Sequence, residues 1–390
     1  MISVDEALSH LFALSPPREA ELVPLRAAAG RVLAKPVSAL RDQPPFAAST
    51  MDGYAVGSSH AHPGAVLNVV GEAAAGHRWE GRLGTGEALR IFTGAPLPPG
   101  ADRVIIQEDV TRSSSHITLN SDLESGTHIR PAGADFKAGH EVSAPRRLGP
   151  SDVALLAAMG IGEVWITCQP TVAIIATGDE LVMPGEAPGP DQITASNIFG
   201  LAALAEAEGA KARILPIARD IEASLKSAFS LAKDADLIVT VGGASVGDHD
   251  LVGAVAQAQG MERAFYKIAM RPGKPLMAGR MGEAVMLGLP GNPVSAMVCG
   301  HIFMLPMLRA MMGLGAMAPS YQEARLGTDL PANGRRAHYM RARVTNGTVT
   351  PAASQDSALL SVLADANALL VRQAHAPAAL AGETVQILPI

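Results

Sequence analysis

A buried-strand pattern followed at once by a glycine-rich loop is the feature that most restricts the fold of this chain. The apolar run Leu237–Val241 has the length of a buried strand, and a helix-like stretch begins at Leu251. The loop between them, from Gly242 to Asp250, reads GGASVGDHD. In an open parallel sheet, such a loop lies at the edge where ligands bind. The pattern therefore predicts an α/β domain with an anion site.

The polar groups of this loop suit a phosphate and a divalent cation. The freed amides of Gly242 and Gly243 and the hydroxyl of Ser245 can hold a phosphate. Asp248 and Asp250 are spaced to share a cation that prefers oxygen ligands. The loop alone is suggestive, and a second site of the same kind strengthens it.

A second strand-to-helix turn repeats the arrangement. The apolar run Ala284–Leu289 is followed by Pro290, Gly291, Asn292 and Pro293. We expect the asparagine to cap the next helix and the second proline to take its first position. Two anion-binding turns within one segment predict a phosphate-bearing substrate.

Size, charge and hydropathy exclude several classes of protein. A chain of 390 residues predicts two to four domains and a multidomain enzyme. The net charge is −6 and the basic residues are scattered, which disfavours a nucleic-acid partner. The most apolar stretch, Val294–Met312, is interrupted by His301, Pro306 and Arg309, so we expect no membrane span. The N-terminus lacks a signal-peptide pattern, which predicts a cytoplasmic protein.

Periodicity predicts a multidomain chain of α/β and β parts. We expect helices at 3–14 and 151–159, the second capped by Ser151, and we expect the two to pack together. Short alternating runs between residues 44 and 145 predict a β-rich insertion. From Thr171 to about Leu314, alternating strands and helices predict a doubly wound α/β domain. Asn346-Gly347 predicts a hairpin in a β-rich C-terminal region, residues 320–390.

Two acidic positions follow strands of the α/β domain. Asp179 and Glu180 come after the strand Thr171–Ala176, where a loop faces the ligand crevice. A carboxylate there could hold a metal, orient a hydroxyl or repel an anion, although Asp179 could merely cap the loop. Asp220 ends the next strand, and either a site role or an N-cap role fits it.

Three cations lie around a proline-braced turn. Lys267, Arg271 and Lys274 surround Met270–Pro275, whose prolines restrict the backbone. Fixed cations beside amide-rich loops suit phosphate or an oxyanion such as molybdate. The alternative is a solvated turn with ordinary surface charge.

The entry to the insertion also presents polar groups. A double proline leads into a Ser/Thr pair and an Asp-Gly turn, which would place Ser49 and Asp52 on a defined loop. From these residues alone, the loop could equally be a domain hinge. The glycine turns at Arg90–Ala95 and Arg130–Asp135 each carry one polar group and are weak signals.

Six motifs together resemble the molybdopterin molybdenumtransferase family, of the MoeA or gephyrin E-domain type. In chain order they are PPFAASTMDGYA (44–55), TGAPLP (93–98), ATGDEL (176–181), GGASVGDHD (242–250), PGKP (272–275) and GLPGNPVSA (288–296). The resemblance implies a linker domain formed by residues 1–43 and 137–168 and a β-rich lobe at 44–136. It also implies an α/β molybdopterin-binding domain at 169–318 and a β-barrel-like domain at 319–390.

The same resemblance implies an activity. Members of the family insert molybdate into adenylylated molybdopterin and release AMP, with a divalent cation such as Mg²⁺. It implies a homodimer and a possible contact with molybdopterin adenylyltransferase. Carried onto matching positions, functional residues fall at Asp52, Thr93, Asp135, Glu180, Asp220, Asp250, Lys267 and Ser357. Together with the anion loops, this predicts metal ligands at Glu180, Asp248 and Asp250.

The chain departs from the family pattern at two positions. Arg271 stands where some relatives have lysine, and Asp356 stands next to Ser357 where glycine is common. Two other functions remain open. A molybdopterin adenylyltransferase resembles residues 170–315, but that activity belongs to a free-standing domain without the insertion and tail. A scaffold protein is the non-enzymatic alternative, and the set of acidic positions argues against it.

Overall fold

The computed structural model describes residues 1–243 and 251–390, and its first helix begins at a capping box. Ser3 Oγ accepts a hydrogen bond from the Glu6 amide (3.1 Å), and Glu6 Oε2 accepts one from the Ser3 amide (2.7 Å). The sequence prediction of this helix is confirmed. The segment contains α1 (Val4–Leu14), β1 (Ala20–Pro24), β2 (Val32–Leu33) and β3 (Val37–Ser38).

The insertion is rich in β-structure, as its alternating runs predicted. A six-stranded sheet forms its centre, with apolar side chains such as Ile117 and Leu89 buried on its two faces. The strands of the whole insertion are β4 (Ala48–Ser49), β5 (Gly53–Val56), β6 (Val66–Ala73), β7 (Glu87–Ile91), β8 (Arg103–Ile106), β9 (Val110–Ser113), β10 (His116–Leu119) and β11 (Ile129–Arg130). The short strands β4 and β11 pair with each other outside the six-stranded sheet. The sheet order is β8-β5-β7-β6-β10-β9.

The chain then returns to the linker region and completes its sheet. This part contains β12 (Glu141–Val142), β13 (Arg146–Arg147), α2 (Pro150–Ala158) and β14 (Glu163–Thr167). The sheet order β1-β14-β2-β13 joins the segments before and after the insertion. The linker is therefore assembled from chain segments that are distant in sequence.

Two details of the helix predictions are wrong. The N-cap of α2 is Gly149 rather than Ser151, because the Gly149 amide donates to Asp152 Oδ2 (2.8 Å) one turn into the helix. The helices α1 and α2 belong to different cores. Leu11 of α1 is buried with the α/β domain, whereas Leu156 of α2 is buried in the linker core.

The middle of the chain is a doubly wound α/β domain, which confirms the predicted fold class. Its elements are β15 (Thr171–Ala176), β16 (Leu181–Val182), β17 (Ile193–Thr194), α3 (Asn197–Glu208), β18 (Lys211–Ile214), α4 (Glu222–Ala232), β19 (Leu237–Val241), α5 (Leu251–Ala258), β20 (Glu262–Tyr266), β21 (Met270–Arg271), β22 (Met277–Met281), β23 (Ala284–Leu289), α6 (Pro293–Cys299) and α7 (Leu305–Met311). The sheet order is β18-β15-β19-β23-β22-β20, with β18, β15, β19 and β23 parallel. Separate apolar cores containing Phe303 and Phe229 cover its faces.

The helices α6 and α7 form one continuous rod. A π-helical turn, Gly300–Met304, joins them, so Pro293–Met311 is helical over 19 residues with a mean hydropathy of 1.5. The sequence predicted that His301, Pro306 and Arg309 make this stretch too short to span a membrane. That prediction is wrong, because the helix is long and apolar enough. However, 83% of the helix is buried inside the protein, among side chains of the α/β core. A helix packed in this way has the character of a core helix.

The C-terminal region is a small barrel. It contains β24 (Gln322–Leu326), β25 (Ala337–Thr345), β26 (Thr348–Pro351), α8 (Leu360–Ala364), β27 (Ala368–Arg372) and β28 (Thr384–Pro389). The order β21-β25-β26-β24-β28-β27 closes through a further β25–β27 pairing. The predicted hairpin is confirmed, and Asn346 (φ 49°) and Gly347 (φ 76°) take the left-handed conformation that such turns require.

Candidate functional site

A pocket of about 710 Å³ lies at the carboxyl ends of β15, β19 and β23. This edge of an open α/β sheet is where ligands bind. The walls include eight of the residues singled out from the sequence: Glu180, Asp220, Gly242, Gly243, Pro290, Gly291, Asn292 and Pro293. The fold thus brings the two predicted anion turns and two of the predicted acids to one pocket.

The glycines of the first turn are required by sterics. Gly242 (φ 98°) and Gly243 (φ 64°) adopt conformations that side chains disfavour. A Cβ atom on Gly242 would lie 2.5 Å from the Thr177 carbonyl oxygen, and one on Gly243 would lie 2.2 Å from Val252 Cγ2. A Cβ on Gly291 would lie 3.4 Å from the Gly242 Cα, so the two turns abut. Backbone rather than side chain forms this part of the wall.

Part of the predicted loop lies outside the described residues. This is the case for Ser245, Asp248 and Asp250. Their roles in binding phosphate or a cation therefore stay predictions.

Side-chain amides join the second turn to two other elements. Asn197 Nδ2, at the start of α3, donates to the Gly291 carbonyl (2.7 Å). Asn292 Nδ2 donates to Ser357 Oγ (3.0 Å), and the Val294 amide donates to the Ser357 carbonyl (3.1 Å). Asn292 is the N-cap residue of α6, but its side chain makes no capping bond, so the predicted capping role is wrong. Its amide holds the C-terminal segment at the pocket rim instead.

The loop that carries Glu180 is braced by an arginine. Arg219 Nη1 donates to the carbonyl oxygens of Asp179 (2.7 Å) and Leu181 (3.2 Å), and Asp179 Oδ1 accepts from the Asp220 amide (3.2 Å). These contacts fix two acid-bearing loops relative to each other. The bond from the Asp220 amide gives the Asp179 side chain a structural role in this loop, in line with the alternative that it caps the loop.

Asp220 is not a helix cap. The N-cap residue of α4 is Ile221, which has no capping side chain, so the N-cap interpretation of Asp220 is wrong. Partial burial raises the pKa of the Asp220 carboxyl, and the negative charges of Asp179 and Glu180 raise it further. A carboxylate held near like charges is stabilised when a cation or a hydrogen-bond donor approaches it.

The metal prediction is only partly covered by the structure. Across residues 1–243 and 251–390, no three His, Cys, Asp or Glu side chains are grouped closely enough to hold a metal ion. Glu180 lines the pocket, while its two predicted co-ligands belong to the undescribed loop. The carboxylates of Glu180 and Asp220 are hard oxygen donors, which is the donor type that Mg²⁺ prefers.

The predicted cations Lys267, Arg271 and Lys274 do not line the pocket, although their turn reaches it. Pro275 lines the pocket, and Lys274 is exposed next to it. Lys267 is half-buried, has a φ of 72°, and places Nζ 4.9 Å from the centroid of the Tyr266 ring. A left-handed lysine is uncommon and points to a constrained position. Arg271 Nη2 contacts His338 Nδ1 at 3.0 Å, which ties the turn to the barrel.

His338 is neutral in this contact. Burial and, to a lesser extent, the charges of Arg271, Arg341 and Arg336 lower its pKa to about 4. Its Nδ1 can therefore accept the hydrogen bond from Arg271.

The side chain of Arg341 is a cation that the sequence did not indicate. It is fully buried, and its Nη2 donates to the Ser354 carbonyl (3.0 Å). Within the described chain, its Nε and Nη1 have no hydrogen-bond partner. It lies on β25, and its bond to Ser354 places it beside the segment that carries Ser357. A strand arginine normally indicates a solvated position, so only the tertiary structure identifies it.

The remaining predicted residues lie in the insertion and do not line this pocket. Asp52 Oδ1 accepts from the Thr93 amide and hydroxyl, both at 2.8 Å, and these bonds lower the pKa of Asp52. Ser49 is buried, and its Oγ donates to the Met51 carbonyl (2.6 Å). Asp135 is exposed on its loop. These positions stay predictions.

Sequence reasoning missed several residues that shape the pocket. They are Thr177 and Asn197, which line the pocket, and Arg219, which braces one of its loops. A Ser-Asn pair at the start of a helix was the available signal for Asn197. The bracing arginine gave no signal, because its partners are backbone carbonyls.

Comparison with known proteins agrees with this architecture. Models of the MoeA N-terminal region (domains I and II), a probable molybdopterin binding domain and the MoeA C-terminal region (domain IV) match residues 2–160, 173–310 and 323–390. A molybdopterin molybdenumtransferase of Haemophilus influenzae is 35% identical, with 100% of this chain and 98% of the relative covered. One of Nostoc sp. is also 35% identical, with 87% and 81% covered.

A solved structure gives the same result for the whole fold. The molybdopterin biosynthesis MoeA protein of Pyrococcus horikoshii superposes with a TM-score of 0.86 at 30% identity, covering 100% of this chain and 99% of that one. Sequence relatives, domain models and three-dimensional similarity therefore extend over essentially the same residues. The chain belongs to the MoeA family, whose curated members are molybdopterin molybdenumtransferases.

Proposed function

We propose that the chain inserts molybdate into adenylylated molybdopterin and releases AMP, giving the molybdenum cofactor. The observation that carries this proposal is the pocket at the end of the sheet, in which two backbone turns and two acids face the same space. Amide-lined turns suit the phosphates of the adenylylated substrate. Relatives that are named molybdopterin molybdenumtransferases and match the chain from end to end support the same reaction.

The chain's own groups have separable roles in this reaction. The turns at Gly242–Gly243 and Pro290–Pro293 would hold the phosphates. The cations Lys267, Arg271 and Lys274 would attract molybdate to the adjoining surface. Ser357, held by Asn292, would bring the C-terminal domain to the rim of the pocket.

Magnesium suits the acidic side of this site. Glu180 would hold it, with Asp248 and Asp250 as further ligands from the neighbouring loop. The raised pKa of Asp220 supports an excess of negative charge there, which a cation would relieve. When bound, Mg²⁺ supplies charge neutralisation at the pyrophosphate link that breaks as AMP leaves.

The insertion lobe would complete the site from a second copy of the chain. Asp52, Thr93 and Asp135 do not line the pocket of their own chain, which supports a shared site in a homodimer. We further propose that the protein works in the cytoplasm. There it would receive its substrate from a molybdopterin adenylyltransferase by direct contact.

Glu180→Gln tests the proposal most directly. Purified protein is given adenylylated molybdopterin, molybdate and Mg²⁺, and AMP release is measured. Wild type should release AMP only with molybdate present, and Glu180→Gln should lower the rate by about 100-fold or more, a loss typical of removing a key charged group. Glu206→Gln, on the exposed face of α3, is the charge-matched control and should keep the wild-type rate.

A second assay separates the transferase from the adenylyltransferase. Formation of adenylylated molybdopterin and pyrophosphate from ATP and molybdopterin would be the adenylyltransferase reaction and would contradict the proposal. So would wild-type AMP release by Glu180→Gln.

A further inference from the structure

A second cavity, of about 310 Å³, lies between the α/β domain and the C-terminal domain. We call it the side cavity. Its walls come from α3, α6 with the following π turn, and α8, and they are mainly apolar: Gly200, Met297, Leu360, Leu363, Ala364 and Ile390. Its volume is at the lower end of the range for small-molecule sites, and such sites combine apolar walls with a few polar groups.

His301 provides a polar group in this cavity. It belongs to the π-helical turn Gly300–Met304, a local distortion that is frequent at functional sites. Burial and, to a lesser extent, the charge of Arg309 lower its pKa to about 4, so the ring is neutral at physiological pH. No side chain or carbonyl of the described residues forms a hydrogen bond with the ring, and one nitrogen is thus available as a donor and the other as an acceptor.

The side cavity adjoins the main pocket. Ser196 and Asn197 line both spaces, and Asn197 also donates to the Gly291 carbonyl in the main pocket (2.7 Å). Only this short segment separates them. A group bound in one space therefore lies within a few atoms of a ligand in the other.

We propose that the side cavity binds a neutral, planar heteroaromatic ring that hydrogen-bonds to His301. Apolar walls favour an uncharged, flat group over a phosphate or a carboxylate, because desolvating a charge without a partner is costly. An acceptor nitrogen on such a ring can take the hydrogen bond from the N–H of the neutral imidazole, while an aliphatic ligand would leave that donor unpaired. Such a ring could be part of the substrate in the main pocket or a separate free compound.

Quinazoline, a neutral bicyclic heteroaromatic, serves as the probe. Titration of the full-length protein is followed through the His301 Cε1–H resonance by NMR, with isothermal calorimetry for the dissociation constant. We expect saturable binding and a shift of the His301 resonance, both independent of catalysis. Probe binding that does not saturate, or that leaves the His301 resonance unmoved, would overturn the proposal.

Filling the cavity provides the structural control. Ala364 is exposed on α8 and faces the cavity, so Ala364→Trp should occupy the space and weaken the probe at least tenfold. Leu380→Trp, at an exposed position elsewhere in the same domain, should leave probe affinity unchanged. Melting temperatures close to wild type verify that both variants fold, and Ala366→Leu is a smaller filling substitution. Equal affinity in the filled and control variants would refute the site.

The role of His301 needs a conservative pair. His301→Leu should weaken the probe by about 3- to 10-fold, the value of one lost hydrogen bond, whereas His301→Gln should retain most of the affinity. Equal affinities for these two variants would contradict the hydrogen bond.

Competition between AMP and quinazoline shows whether the ring belongs to the bound substrate or to a separate compound. If AMP displaces quinazoline, the cavity takes a ring of the bound nucleotide substrate. If AMP and quinazoline bind together, it takes a separate compound. Because neither measurement requires molybdate or turnover, failure of the proposed transferase reaction would leave this result intact.

Discussion

The pocket of the α/β domain and the insertion lobe both present acids on loops, but their electrostatic states are opposite. In the pocket, burial and two neighbouring carboxylates raise the pKa of Asp220. In the lobe, two hydrogen bonds from Thr93 lower the pKa of Asp52. The surroundings of the pocket therefore disfavour ionisation of its Asp220, whereas the lobe holds a carboxylate that is already satisfied.

This difference indicates how the two regions would work together. Like charges gathered at a pocket disfavour the empty state and favour the entry of a cation with its phosphate ligand. A carboxylate fixed by its own lobe is a rigid group that can be presented to another surface without rearrangement. We therefore expect the pocket to bind the cation and the phosphates, and the lobe to supply a fixed carboxylate to the pocket of another copy.

The largest expected effect is complementation between the two regions. Asp52→Ala and Glu180→Ala should each lower AMP release by about 100-fold or more. When the two variants are mixed and allowed to exchange subunits, one site of each heterodimer is intact, which should restore roughly a quarter of wild-type activity. No recovery, despite heterodimers verified by native mass spectrometry, would show that the lobe does not serve the partner's pocket.

A smaller effect is expected at the cationic turn. Lys267→Ala and Lys274→Ala should weaken substrate binding by about 1.5–3 kcal/mol each, the value of a charge-assisted contact, with little change in melting temperature. Lys226→Ala removes an exposed lysine paired with Glu222 on α4 and is the matched control. If all three variants bind substrate equally, the cations form an ordinary solvated turn.

The melting temperature of an Asp220 variant should differ modestly from that of a variant at an ordinary surface acid. Its folded-state pKa is raised above the unfolded value, so ionisation destabilises the fold as the pH rises through that range. Asp220→Asn should raise the melting temperature at pH 7 by about 1–2 °C and leave it unchanged below about pH 3, while activity falls.

Asp234→Asn is the control of opposite sign. Arg213 lowers the pKa of the Asp234 carboxyl, so this change should slightly lower the melting temperature at pH 7. The same direction of change in both variants would contradict the proposed charge imbalance.

The smallest effect is expected within the lobe. Thr93→Val removes one of the two bonds to Asp52 and should move the Asp52 pKa upward, toward its usual value, by NMR titration. A carboxyl group whose pKa is lowered in the folded state stabilises the fold at pH values above its unfolded-state pKa. The variant should therefore lose stability at neutral pH but not in acid. Thr118→Val, in the same lobe, should leave the Asp52 titration unchanged.

The strands, helices and turns were largely predictable from the sequence. The strands Thr171–Ala176, Leu237–Val241 and Ala284–Leu289 have the predicted bounds. Each combines an apolar run with a glycine or proline stop, and both signals are local. The hairpin at Asn346-Gly347 was predictable for the same reason.

Capping assignments were less predictable. Ser151, Asp220 and Asn292 are all good capping residues, yet none caps its helix through its side chain. The amide of Asn292 bonds to Ser357 instead. Local preference decides a cap only where no distant partner offers the side chain a better bond.

The family, the order of the regions and the two glycine-rich turns of the pocket follow from the sequence alone, because glycine, proline and apolar periodicity act within a few residues. Tertiary structure alone decided that α1 packs on the α/β core, that Arg219 braces the Glu180 loop and that Arg341 is buried. It also decided that the C-terminal Ser357 reaches the turn at Asn292. Each of these contacts joins residues far apart in the chain, and their partners are set by how the sheets and helices pack.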